Sequence, residues 1–144
     1  MISFSFKKFK MNKYFHFILP LLFVFFIQSC GDKEEFFVVK NIQVGPLNPE
    51  MAAKGKVIFQ SKCASCHKME SKYVGPPLGM VTKRRSADFV MSQIIDPEAM
   101  IKNNDTIKAL YAQYNTPMAN QHLTQAEARS VFEYLRQVAD NGGK

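Results

Sequence analysis

The chain has 144 residues, 47% of them hydrophobic, and a formal net charge of +7. That is enough for one small folded domain. Four of the 19 basic residues precede Cys30 while all 12 acidic ones follow it, so the body is only weakly basic; no basic stripe interleaved with aromatics suggests nucleic acid.

The amino end reads as a targeting segment. Lys7, Lys8, Lys10 and Lys13 precede an apolar run of 13 residues, Phe15 to Ile27, broken only by His16 and Pro20. The run is too short for a membrane span and has the length of a signal-peptide core. Met11 is an alternative start, since Met11-Asn12-Lys13 still supplies a charged leader. The run ends in Ile27-Gln28-Ser29-Cys30, which resembles a bacterial lipoprotein signal, where a cysteine behind a small residue receives lipid and becomes the mature terminus. Gln28 departs from the commonest form of that pattern. The expected organisation is a signal peptide over 1–29, a lipidated Cys30 with a tether over 30–48, and a folded domain over 49–144. The alternative is an uncleaved amino-terminal anchor, and both readings place the body outside the cytoplasm, on a membrane facing the periplasm. The acidic tract Asp32 to Glu35 is similar to the export signal that sends some Bacteroidota lipoproteins to the cell surface; a solvated spacer is the plain alternative. Residues 31–48 contain Gly45, Pro46 and Asn48 and show no helical period, which predicts a free tether reaching roughly 60 Å at about 3.3 Å per residue.

Asn48-Pro49 reads as a helix start, with asparagine as cap and proline at the first helical position. The helix is expected to run to about Lys62, with Met51, Val57 or Ile58, and Phe59 on or near an inward face, and with Gly55 inside it where another helix crosses closely. Directly behind it comes Cys63-Ala64-Ser65-Cys66-His67. Two thiols three positions apart followed at once by an imidazole are a c-type haem attachment motif. Each sulfur adds to one porphyrin vinyl group, and the histidine is held beneath the iron. A zinc site would need a second ligand pair, and only Cys30, His16 and His122 remain. A thioredoxin-like dithiol would need a βαβ setting that the chain lacks. With Cys30 assigned to lipid, no thiol is left for a disulfide. One covalent haem c is therefore expected, with a thin core packed around it and a poorly folded apo chain.

Gly75-Pro76-Pro77-Leu78-Gly79 predicts a stiff turn with free carbonyls. A ligating histidine needs an acceptor for its other ring nitrogen, and Pro76 is the candidate. Lys83, Arg84 and Arg85 read as a solvated run, or as contacts to a haem propionate, ahead of a helix capped by Ser86, lined by Phe89, Val90, Ile94 and Ile95, and ended by Pro97. A short helix is expected from Asp105 or Thr106 to about Tyr114. Thr124-Gln125-Ala126-Glu127 is a capping box. Behind it Ala128, Val131, Phe132, Leu135 and Val138 share one helical face and Arg129 and Glu133 pair on the other, until Asn141-Gly142-Gly143 ends the helix and frays.

The second iron ligand is sought among the methionines. Met69 is too near His67, Met80 would need an unusually tight loop, and Met91 falls in a helical stripe. Met100 and Met118 remain, with His122 behind them. Met118 is favoured because Pro117 stiffens the polar loop 115–120 that carries it, and because a Met/His pair suits electron-transfer cytochromes.

Taken together, residues 49–140 resemble a class I, single-haem cytochrome c: glycine and an aromatic in the first helix, Cys-x-x-Cys-His, Gly-Pro-x-Leu, Pro-Met, and an aromatic in the last helix. The resemblance implies an all-α fold of about four or five helices around one covalent haem. It implies Gly55 and Phe59 crossing the last helix near Tyr134, the Pro76 carbonyl on His67, and His67 and Met118 as axial ligands. Ala119 stands where many relatives have proline. The stretch Arg84-Arg85-Ser86 together with Tyr114 to Asn120 is similar to small lipoprotein cytochromes encoded beside nitrous oxide reductase in Bacteroidota. The expected function is a non-enzymatic, membrane-tethered electron carrier between a quinol-oxidising complex and a periplasmic terminal reductase or oxidase, nitrous oxide reductase among them. The rival reading is a haem enzyme or gas sensor with an open distal iron.

Overall fold

A computed structural model describes residues 35–144; the signal segment, Met11 and Cys30 lie outside the described residues. Within them there are six helices and no strand: α1 (Pro49–Lys62), α2 (Val81–Arg84), α3 (Ala87–Ile95), α4 (Pro97–Asn103), α5 (Asp105–Tyr114) and α6 (Gln125–Asp140).

Most helix starts are set by one polar side chain. Asn48, Ser86, Asp96, Asn104 and Thr124 each accept from a backbone N–H in the first turn of the helix that follows. In the capping box, Glu127 returns a carboxylate to the Thr124 N–H at 2.8 Å. Pro97, read from sequence as a stop, both follows α3 and opens α4, because Asp96 caps the new helix and proline at its start lacks only an N–H with no partner there. The one-turn helix α2 also has no counterpart in the expected elements.

The frame is α1 packed on α6. Ala52, Gly55 and Phe59 are the buried residues of α1, whereas Val57 points outward at 66% exposure. A Cβ on Gly55 would collide with the Ser130 carbonyl of α6, so the two backbones touch there. Phe59 packs on Tyr134 with ring centroids 5.4 Å apart. Around this pair Phe89, Val90, Met91, Ile94, Met100, Val131, Phe132 and Leu135 form one buried cluster.

Three expectations change on the structure. Residues 36–48 are not a free tether: Phe37, Val39 and Ile42 pack against the core, and side chains of α3 and α6 bond to the backbone along this stretch. Glu133 is not on a solvated face but 1% exposed, held by Arg129 and Arg136 at 2.9 and 2.8 Å and accepting from the Asn48 N–H at 3.4 Å. A carboxylate so buried is retained because two guanidinium groups and an amide replace its water. The carboxy end does not fray either. Gly142 and Gly143 have positive φ, Gly143 N–H closes on the Val138 carbonyl at 2.8 Å, and Gly143 packs against Gly79.

Gly55→Ala forces the helices apart and is expected to cost about 1–3 kcal/mol in chemical denaturation, the usual range for an overpacked contact. The carboxyl of Glu127 is held below its ordinary value, first by the Thr124 backbone N–H. A lowered carboxylate pKa stabilises the fold above the ordinary value and loses that contribution as pH falls through the lowered one. The advantage of wild type over Glu127→Ala in urea midpoint is therefore expected to shrink on acidification and to stay flat at neutral pH.

Candidate functional site

The end of α1 builds one side of the site. Cys63 is the residue at which the helix stops, its N–H still bonded to the Phe59 carbonyl, and Cys66 and His67 then donate back to the Cys63 carbonyl at 3.1 and 2.9 Å. This single turn gathers both thiols and the imidazole. The following loop folds back onto it: Gly75 N–H donates to Cys66, Leu78 to Lys68 and Gly79 to Met69. Pro76 thereby arrives with its carbonyl 3.0 Å from His67 Nδ1. A carbonyl only accepts, so Nδ1 carries the proton and Nε2 is the bare nitrogen. Gly75 lies flat against the imidazole, and a Cβ there would run into the ring. The neighbouring Pro77 carbonyl accepts from Arg84 Nη2 at 3.1 Å, Lys83 pairs with Asp140, and Arg85 covers the Phe89 ring. The basic run is thus tied to the fold rather than simply solvated.

Burial sets the ionisation of these groups. It lowers the His67 pKa, against a smaller opposing effect of the Pro76 carbonyl, and so favours the neutral ring that can ligate. Burial, with the neighbouring Cys66, pushes the Cys63 thiol up to about 11. Neither cysteine is in a disulfide.

A cavity of about 610 Å³ opens beside this turn. Cys63, Cys66 and His67 line it, and so does Met118, delivered by the loop after α5. That loop leaves α5 through Asn115 in the left-handed conformation, at φ 52°, and carries Pro117 directly before Met118. Gln93 of α3, which the sequence did not single out, donates from Nε2 to the Met118 sulfur at 3.4 Å, while its Oε1 is buried without a partner. Much of the remaining wall is apolar, including Phe59, Leu78, Ile94, Val131 and Leu135, with Lys62, Arg84 and Arg85 as cationic members and Ser61, Ser65, Thr116 and Gln121 as polar ones. Met100 is fully buried in the core and absent from the cavity wall, as is His122, which sits exposed at φ 54° in the loop beyond Met118. Among the described residues no group of three or more His, Cys, Asp or Glu side chains is assembled to hold a metal.

The donor set fits haem c. Paired thiols, a bare imidazole nitrogen and a thioether border one largely apolar cavity large enough for an organic cofactor.

Comparison with known proteins agrees. The chain aligns at 36% identity with cytochrome c from Rhodothermus marinus, covering 72% of this chain and 90% of that one with a TM-score of 0.70. An engineered form of that protein matches at 35% identity over the same shares, also with a TM-score of 0.70. Another structure of the engineered form, described as bound to a carbene intermediate, matches at 36% identity and a TM-score of 0.67. A cytochrome c-553-like protein from Synechocystis is 40% identical over 45 residues, a match spanning 43% of that relative's length. The family model for cytochrome c matches residues 52–139, more than half of the chain. With its all-helical fold and the Cys63, Cys66 and His67 turn bordering an apolar cavity, the chain belongs to the cytochrome c family, whose members carry covalent haem c.

Proposed function

We propose that the protein is a single-haem electron carrier, held on a bacterial membrane by lipid at Cys30, that passes one electron at a time to a periplasmic reductase or oxidase. The observation that carries the electron-carrier reading is one cavity bordered by both the His67 ring and the Met118 sulfur. Haem c bound there supplies one-electron cycling of its iron; no substrate bond is made or broken.

The residues divide the work. Cys63 and Cys66 fix the porphyrin through thioether bonds, so the cofactor stays attached in either oxidation state. His67 offers Nε2 to the iron while Pro76 holds Nδ1 and with it the ring's orientation. Met118 would supply a second ligand to the iron, and a thioether in that role would favour the reduced state and raise the potential. Gln93 and Pro117 hold that sulfur in place before any ligand bond forms. A site closed on both sides needs little rearrangement when the charge on the iron changes. The apolar walls add to this by excluding water, which would otherwise reorganise with each electron.

The partners are inferred from placement and resemblance. The Ile27-Gln28-Ser29-Cys30 pattern supports a lipid anchor facing the periplasm, with the cell surface as a variant of it. A high-potential carrier there accepts from a quinol-oxidising complex and donates to a terminal enzyme. The similarity of Arg84-Arg85-Ser86 and Tyr114 to Asn120 to cytochromes encoded beside nitrous oxide reductase favours that reductase as the acceptor.

Met118→Ala is expected to lower the reduction potential and to let the ferrous protein bind carbon monoxide. An unchanged spectrum with no carbon monoxide adduct removes Met118 from the ligand set, whereas carbon monoxide binding by wild type at rest moves the protein to the enzyme or sensor reading. Cys30→Ser is expected to release the protein from membranes into the soluble fraction; full retention there argues for an uncleaved anchor instead.

A further inference from the structure

Residues 35–43 form a strap with two unlike sides. Phe37, Val39 and Ile42 face inward, Phe37 lying edge-on to Phe89 at 6.4 Å. Ser92, fully buried, bonds both the N–H and the carbonyl of Val39 at 3.0 and 3.2 Å, and Asp88 accepts from the N–H groups of Asn41 and Ile42 at 2.9 and 2.8 Å. At the strap's start Asn104, also fully buried and the cap of α5, donates to the Phe36 carbonyl and the Glu35 carboxylate, each at 3.0 Å. Phe36 and Val38 turn outward, each 37% exposed.

We propose that this outward side of the strap, Phe36 and Val38 beside the α4–α5 junction, rests on the lipid surface and holds the domain in one orientation on its membrane. The inference rests on the lipid anchor at Cys30. Chain length argues for lipid as the occupant. Only five peptide steps separate Cys30 from Glu35, about 17 Å fully extended, so the anchor brings the start of the strap to the membrane whatever path those residues take. A tether that was free to Asn48 would have set no such limit. Apolar side chains placed that near a bilayer gain by entering its interfacial layer, where an aromatic ring is at home. No helix of the described residues is long and apolar enough to cross a membrane.

The orientation has a consequence for electron transfer. Helix α5 follows its cap Asn104, which also holds the strap, and lines the haem cavity with Ile107, Leu110, Tyr111 and Tyr114. A strap fixed on the membrane therefore fixes the direction in which the cavity faces its partners, instead of letting it swing on a long leash.

The test uses the full, haem-loaded, lipid-bearing chain in phosphatidylcholine vesicles, with an environment-sensitive fluorophore on Val38→Cys, on Lys102→Cys at the end of α4, or on Val57→Cys of α1. The expected result is quenching by nitroxide-labelled lipid with shielding from iodide at positions 38 and 102, and the reverse at 57. Releasing the strap with Asp88→Ala and Ser92→Ala is expected to abolish lipid quenching at position 102 while the protein still floats with the vesicles. A protein that floats but shows iodide quenching at 38 and 102, or equal quenching at all three positions, overturns the orientation alone. A protein that does not float, and whose amino-terminal peptide carries no acyl mass, overturns the anchor and the orientation together.

Discussion

The contact between Gly55 of α1 and the Ser130 carbonyl of α6 is the constraint on which the site depends. It fixes how closely and at what point the two longest helices cross. Cys63 ends α1 two turns further on, so the crossing decides where the thiols and His67 stand relative to the apolar face of α6. Val131 and Leu135, which lie just beyond the crossing on α6, are part of the same cavity wall. Any side chain at position 55 would lever the end of α1 outward and move the haem-attachment turn with it. A stability defect and a cofactor defect thus have one origin.

Much of this was legible from sequence because it is local. Asn48, Ser86 and Thr124 cap helices through bonds that span three residues, and the haem motif is a single turn. The cytochrome c fold was implied by the family resemblance that these motifs carry in combination. What escaped was tertiary. Residues 36–48 carry no helical period, so they read as tether, yet Asp88, Ser92, Asn104, Arg129 and Arg136 hold their backbone from far along the chain. Glu133 looked like half of a surface pair because its second guanidinium and the Asn48 amide cannot be seen from an i,i+4 pattern. Pro97 looked like a stop because a cap at Asp96 turns the same residue into a start. At the site, the cysteines, His67, Pro76 and Met118 were all singled out in advance, and the structure gathers them at one cavity. Gln93 was not, since a glutamine inside a helix gives no signal until Met118 comes to lie beside it.

The same polar groups that hide from sequence reasoning connect the amino-terminal strap to the cavity. Ser92 and Gln93 are neighbours on α3: the first grips Val39, the second the Met118 sulfur. Asn104 caps α5 while binding the strap, and α5 leads into the loop that carries Met118. The strap, the distal loop and the haem-attachment turn are thus held by one small set of helices.

The central claim is that the Met118 sulfur closes the iron opposite His67. The most direct test is the near-infrared spectrum of the oxidised wild-type protein. The account predicts the weak band of thioether sulfur bound to ferric haem, together with a low-spin visible spectrum indifferent to added small ligands. A high-spin spectrum lacking that band, and shifting when azide or imidazole is added, would contradict it.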